Sequence, residues 1–201
     1  TEGLERLGVR VEAAVRDGPT RRAFTFIDAN GERTITTIGE RLAPSADDPL
    51  RWSDLAATDA VYLTAGDRGA MAAARRARVV VATARILRDL AAAHLELDAL
   101  VGSARDPSER YEEGALMPPP RLVVLTEGRD GGTYRTAEGR SGRFPATPPP
   151  GPLVDTYGAG DSFAAGLAYG LAAERDDLSA ALDVASRCGA EATTRRGAHG
   201  A

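Results

Sequence analysis

Val154-Asp155-Thr156-Tyr157-Gly158-Ala159-Gly160-Asp161-Ser162-Phe163 decides how this chain is read. A Pro-rich loop leads into it, and an Ala/Gly/Leu run of helical character follows. The first-turn amides of a helix have no intrahelical acceptor, and the helix dipole favours negative charge there. Such a terminus can hold an anion, and glycines let the backbone approach it closely. An aspartate beside an anion is repelled by it, so Asp161 is costly unless it does chemistry. The amides of Gly158, Ala159, Gly160 and Asp161 are therefore expected to hold a transferring phosphoryl group. Asp161 is expected to take the proton of the attacking hydroxyl. The competing reading is an ordinary helix cap, for which Asp is a favoured residue.

Composition narrows the options. The chain has 201 residues, 43% hydrophobic and 27% charged, with a net charge of −4. That suits one soluble α/β domain with a real core and gives nucleic acid no basic surface. All 25 basic residues are arginine. Without lysine, neither a P-loop nor a protein-kinase phosphate site can be built. Phosphate chemistry must rest on backbone amides, arginine and metal. Cys188 is the single cysteine, so no internal disulfide forms and a reducing cytoplasm fits. His94 and His199 lie far apart and support no zinc site. No apolar run reaches membrane-span length. The sequence opens at Thr1 in what reads as the tail of a helix, so a preceding segment is expected.

In chain order, residues 4–7 read as a helix end capped by Gly8, and Val9 and Val11 as a short strand. Residues 21–27 and 32–38 are β-rich and flank Asp28-Ala29-Asn30-Gly31, a strong hairpin signal. Residues 41–58 read as loop with a helical turn near Trp52. Strands are expected at 60–64, 79–82, 99–103 and 122–126. Helices are expected at 68–78 and 85–95, and another opening at Ser103 to Asp106. His94 reads as a helix-terminal residue. A second hairpin spans about 131–144. Two helices follow, from Asp161 to about Ala173 and from Leu178 to about Thr194. Phe163, Leu167 and Leu171 form the buried stripe of the first, while Gly166 and Gly170 permit close packing. On the second, Leu182, Ala185 and Gly189 face inward and Cys188 reads as a small buried hydrophobe. Short apolar strands alternating with helices imply a parallel sheet covered on both faces. Ligands of such sheets bind beyond the carboxyl ends of the strands. Ser103, Asp106, Thr126 and Gly128 all fall there.

Asp155-Thr156-Tyr157-Gly158-Ala159-Gly160-Asp161-Ser162-Phe163-Ala164-Ala165-Gly166 resembles the C-terminal signature of the ribokinase-like (PfkB) carbohydrate kinases. Gly31-Glu32-Arg33-Thr34 resembles the lid hairpin of that family, and Thr126 to Gly132 its Thr-x-Gly-x-x-Gly nucleotide segment. Arg195-Arg196-Gly197-Ala198 resembles its closing turn. The resemblance runs along nearly the whole chain but matches only the later part of a typical member.

The resemblance implies a three-layer α/β/α sandwich with a mostly parallel central sheet and a small β lid. Residues 1–201 would form one domain, with 9–38 contributing the lid. It implies an ATP-dependent phosphotransferase acting on a sugar or sugar-like alcohol. Asp161 is then the base and contacts the substrate, and Gly158, Ala159 and Gly160 form the anion hole. Ser103, Thr126, Gly128, Gly131, Ser186 and Gly189 would border ATP, and Arg33 or Arg22 of the lid could meet a substrate phosphate. Mg²⁺ would be reached through water by Asp106. Asp155 and the carbonyl of Tyr157 match a monovalent-cation position, K⁺ in many relatives. Relatives carry Asn-x-x-Glu where this chain has Ser103-x-x-Asp106, and their first strand and sugar-holding glycine-asparagine segment have no counterpart here. Three alternatives stand beside the sugar kinase: a non-catalytic nucleotide-binding relative, a nucleoside kinase, or a phosphosugar kinase. A dinucleotide enzyme is disfavoured, since no Gly-x-Gly-x-x-Gly follows an early strand. No nucleic-acid or membrane partner is expected, and a homodimer through the lid is open.

Overall fold

The computed structural model describes residues 2–27, 33–174 and 177–197. After a short helix α1 (Glu2–Arg6), strands β1 (Arg22–Ile27) and β2 (Arg33–Ile38) pair antiparallel as a separate two-stranded sheet. A six-stranded sheet follows, in the order β3 (Ala60–Leu63), β4 (Val79–Thr83), β5 (Ala99–Ser103), β6 (Leu122–Thr126), β7 (Gly132–Thr136), β8 (Ser141–Phe144). Neighbours from β3 to β6 are parallel, and β6, β7 and β8 are antiparallel.

Helices α2 (Arg68–Ala74) and α3 (Leu87–Ala93) connect the parallel strands, and α4 (Ala159–Ala173) and α5 (Leu178–Ala192) end the chain. Every residue of β4 is buried, as a strand covered on both faces requires. Its side chains alternate between two cores. Val79 and Val81 join Val124, Phe163, Leu167 and Leu182 in one. Val80 and Ala82 join Met71, Ile86, Leu90 and Leu100 in the other. The result is the expected α/β/α sandwich, with sequential strand order and one core on each face of the sheet.

The helix pair α4/α5 is closed by missing side chains. A Cβ at Gly170 would lie 2.8 Å from the Cα of Ala181, and one at Gly166 2.9 Å from Cys188. Phe163 stacks on Phe144 with ring centroids 5.6 Å apart, tying the start of α4 to the far strand of the sheet.

Several expectations need correction. Residues 9–11 form no strand, and Val9 is exposed. No helix follows Ser103: the chain makes only a 3-10 turn at Pro107–Glu109, capped by Asp106. Pro107, Gly114 and the run Pro118-Pro119-Pro120 punctuate the segment too closely for a helix. The helix expected over 68–78 stops at Ala74. That over 85–95 divides into a 3-10 turn at Ala84–Ile86 and α3, whose C-cap, His94, is left-handed at φ 51°. Leu171 and Cys188 are half-buried rather than fully buried. The Asp28-to-Gly31 turn lies outside the described residues.

Replacing Gly170 by alanine places a methyl against the Ala181 backbone. The expected cost is about 1–3 kcal/mol, read by chemical denaturation; an unchanged midpoint would contradict the packing described.

Candidate active site

The site is assembled where the parallel strands end and α4 begins. Gly158 caps α4 in the left-handed region at φ 83°, a conformation glycine adopts without penalty. The helix thus starts two residues earlier than the sequence suggested, at Ala159. Asp161 is its third residue, not its cap. Among the described residues the N–H groups of Gly160 and Asp161 have no backbone acceptor, whereas that of Ala159 reaches the Thr156 carbonyl at 3.3 Å. A Cβ at Gly160 would meet nothing within 4 Å. The turn is therefore open, with two unpaired donors on it.

The Asp161 side chain is half-exposed and receives two donors on one oxygen. The Tyr62 hydroxyl on β3 donates to Oδ1 at 3.0 Å, and the Arg85 guanidinium, just past β4, approaches the same atom at 3.5 Å. Arg85 is held from behind: its Nε donates to Glu109 Oε1 at 2.8 Å. The Glu109 side chain is 7% exposed, and its Oε2 accepts from the backbone N–H of Ser103 at 2.8 Å. Ser103 lies beside Thr126 in the β5–β6 register. A continuous polar path thus links Asp161, Arg85, Glu109, Ser103 and Thr126 across the sheet edge. Burial opposes the charge on Arg85, but hydrogen bonding to Glu109 and the charge of Asp161 outweigh it, so the guanidinium is more firmly protonated than usual. Burial, then the Asp161 charge and its hydrogen bond, push the Tyr62 hydroxyl well above the ordinary tyrosine value.

The residues expected to border ATP divide into groups. Thr126 donates its hydroxyl to the Gly102 carbonyl at 3.3 Å. Gly128 and Gly131 both have positive φ; Gly128 opens the 3-10 turn after β6 and Gly131 caps its end. A Cβ on Gly131 would lie 2.1 Å from the Phe144 carbonyl oxygen, so that glycine is demanded by packing. Arg105 pairs with Asp130 across this turn at 2.6 Å. Ser186 is buried on α5, and a Cβ on Gly189 would come within 3.3 Å of the Ala159 carbonyl and Phe163. Neither lines the cavity between α4 and α5. Ser162, Tyr169, Cys188, Glu191 and Arg195 do, around about 390 Å³. Arg33 begins β2, but its side chain lies outside the described residues. Arg22 is exposed on β1, and the hairpin makes its main contacts within itself.

The resemblance placed two carboxylates, Asp106 and Asp155, beside cations. Oδ1 of Asp106 accepts from the amide and hydroxyl of Ser108 at 2.9 and 2.7 Å, and these contacts, hydroxyl first, hold its carboxyl below the usual range. It stays ionised, and no donor among the described residues reaches its other oxygen. That suits a contact to metal-bound water. Among the described residues no three His, Cys, Asp or Glu side chains are grouped to hold a metal by themselves. Asp155 accepts from the Tyr157 amide at 2.9 Å and the Gly197 amide at 3.1 Å. It thus fastens the loop before α4 to the chain after α5.

The sequence reading missed Tyr62, Arg85 and Glu109. Arg85 was within reach, since it follows a strand end just as Asp106 and Gly128 do. Tyr62 and Glu109 carry no motif, and only packing brings them to the site.

Residues 90–201 match the sequence model described as pfkB family carbohydrate kinase. Over 84 residues the chain is 45% identical to a fructokinase of Klebsiella pneumoniae, a stretch covering 39% of this chain and 26% of that protein. The match therefore spans about a quarter of that relative's length. The fold resembles the adenosine kinase from Sinorhizobium meliloti, with a TM-score of 0.73, 19% identity and coverage of 98% of this chain and 68% of that one. It also resembles an Arabidopsis thaliana ribokinase complexed with ribose and ATP, with a TM-score of 0.66, 18% identity and coverage of 91% and 66%.

The raised Tyr62 value has a sign. Neutral Tyr62 favours the fold at pH values below about 10, the unfolded tyrosine value, and this contribution is lost as pH rises through the higher folded value. Tyr62→Phe is expected to remove a late step from the alkaline tyrosinate absorbance titration. A titration losing only an ordinary step would contradict the contact.

Proposed function

The chain belongs to the pfkB family of carbohydrate kinases, and on that premise we propose that it transfers the γ-phosphoryl group of ATP to a hydroxyl of a sugar or sugar-like alcohol. One observation carries the reading: a carboxylate and two unpaired amides share the first turn of α4. An anion binder alone has no use for Asp161, and a general base needs a charge-stabilising neighbour for the group it helps to transfer.

Phosphoryl transfer demands positioning and stabilisation of spreading charge more than covalent help from the protein. The Gly160 and Asp161 amides face the transferring group, the Ala159 amide is shared with the Thr156 carbonyl, and glycine at 158 and 160 keeps side chains out of its approach. The acceptor oxygen forms its bond to the γ-phosphorus as the bond to ADP breaks, and the acceptor proton passes to Asp161. A carboxylate is a far weaker base than an alkoxide, so proton transfer follows oxygen attack, as a loose transition state allows. Mg²⁺ bound to phosphate oxygens would neutralise charge, with Asp106 reaching its water shell. Asp155 and Tyr157 are assigned to a monovalent cation. Ser103, Thr126, Gly128 and Gly131 are assigned to the nucleotide, with Ser186 and Gly189 behind its base. The β1–β2 hairpin is assigned the lid. Its exposed Phe24, Phe26, Ile35 and Ile38 support a homodimer formed through it.

A second reading, a nucleotide-binding module without transfer, is favoured by the Asp106 oxygen committed to Ser108. An acceptor panel separates the two. Fructose, adenosine and ribose, the acceptors for which the three similar proteins are named, are incubated with ATP and Mg²⁺. Transfer to any of them supports the kinase; ATP binding without transfer supports the module. In an active protein, Asp161→Asn is expected to lower turnover by about 10²–10⁴-fold, the usual range for a general base, while calorimetry finds ATP still bound. Undiminished turnover would sink the base assignment. Gly160→Ala is expected to fold normally, since its Cβ meets no neighbour. The amide is kept, but the methyl stands in the approach to the turn, so kcat/KM should fall by about 10²-fold, the scale of a misplaced reacting group; a fully active Gly160→Ala protein contradicts the amide site.

A further inference from the structure

Asp161 is unevenly solvated by the protein. Both donors that reach it, the Tyr62 hydroxyl and the Arg85 guanidinium, meet Oδ1. Among the described residues no donor reaches Oδ2. Of the two donors, Tyr62 is the nearer and the better anchored. Its ring packs against the core shared by β4, α4 and α5, and the next residue on β3, Leu63, is buried in the opposite core. A tyrosine whose ring is fixed in this way has its hydroxyl fixed too. The Arg85 contact is longer, and Arg85 is half-exposed, so its hold on Asp161 is weak by itself. Glu109, buried behind it, keeps the guanidinium at the site.

We propose that Tyr62 is a positioning residue for Asp161: its hydroxyl holds Oδ1 and leaves Oδ2 as the atom that receives the acceptor's proton. The inference rests on the reading of Asp161 as the base. Three features favour it over a tyrosine that merely covers the sheet edge. The hydroxyl lies 3.0 Å from the carboxylate, at hydrogen-bond length. It stays protonated, and so remains a donor, because burial and the Asp161 charge both oppose its ionisation. It also occupies one oxygen only, so a hydroxyl-bearing substrate finds the other without competition. Phenylalanine would fill the same space and lose only the donor. The charged and titratable groups facing Asp161 in this arrangement are Tyr62 from β3 and Arg85 from beyond β4, with Glu109 behind Arg85.

The test follows the carboxyl carbon of Asp161 by NMR through an acid titration, identified by its disappearance in Asp161→Asn. Loss of a hydrogen bond to the ionised carboxylate is expected to move the Asp161 carboxyl resonance in Tyr62→Phe. The reciprocal measurement uses Asp161→Asn, in which the Tyr62 step of the tyrosinate titration should move down toward the ordinary range. Neither readout needs turnover, and the second does not depend on Tyr62→Phe folding. In an active protein, Tyr62→Phe should also lower kcat by about tenfold with little change in KM for ATP, and its pH–rate rise should move with the Asp161 titration. An Asp161 carboxyl resonance unmoved in folded Tyr62→Phe, or a Tyr62 step unmoved in Asp161→Asn, overturns the positioning role and leaves the base assignment standing. Turnover that survives Asp161→Asn overturns the base assignment itself.

Discussion

The start of α4 is the constraint on which the candidate site depends. Gly158 turns the chain into the helix in a left-handed conformation, and Phe163, Leu167 and Ala168 then lock the helix onto the sheet. Leu167 is fully buried, and truncating such a leucine costs about 2–5 kcal/mol. On the other side, Gly166, Gly170 and Gly189 let α4 and α5 approach to near backbone contact. The helix cannot slide or rotate without creating clashes or voids. Its first turn is therefore fixed relative to the strand ends, and Asp161 is fixed with it.

That placement gives the polar path its meaning. Asp161, Arg85, Glu109 and Ser103 come from four different segments, yet each touches the next. A half-exposed pair such as Arg85–Asp161 contributes little stability in water. The buried Glu109 is different, because both of its oxygens are occupied by fixed donors, one of them charged. Breaking such an arrangement is costly, since it leaves a buried charge without its partner. The path thus serves orientation: it aligns groups from β3, β4 and β5 around one carboxylate on α4. The turn after β6, with Gly128 and Gly131, continues the same edge beyond Thr126.

Much of this was legible in the sequence. The strands from β3 to β6 show as apolar runs, and α4 and α5 show through the spacing of Phe163, Leu167 and Leu182. The glycine-aspartate turn was singled out as the start of a helix, and α4 does begin there, with the N–H groups of Gly160 and Asp161 free of backbone acceptors among the described residues. Two kinds of feature were harder to see. Local punctuation overrode helical expectation after Ser103, where Asp106 and Pro107 close a short turn instead of starting a helix. Residues 9–11 show the alternation of a strand, but alternation in an exposed segment brings no pairing partner. The contacts of Tyr62 and Glu109 depend on packing between segments far apart in the chain, and no local pattern encodes them. Family resemblance could not supply them either, since it was carried by the glycine-rich and aspartate motifs.

The central claim is that the first turn of α4 receives a phosphoryl group. Amide chemical shifts of the isotope-labelled protein, followed as ATP is added, test it directly. The account predicts that the largest changes fall on Gly158, Gly160 and Asp161, with smaller ones at Thr126 and Gly128. Saturable ATP binding that leaves the Gly160 and Asp161 amides unmoved would contradict it.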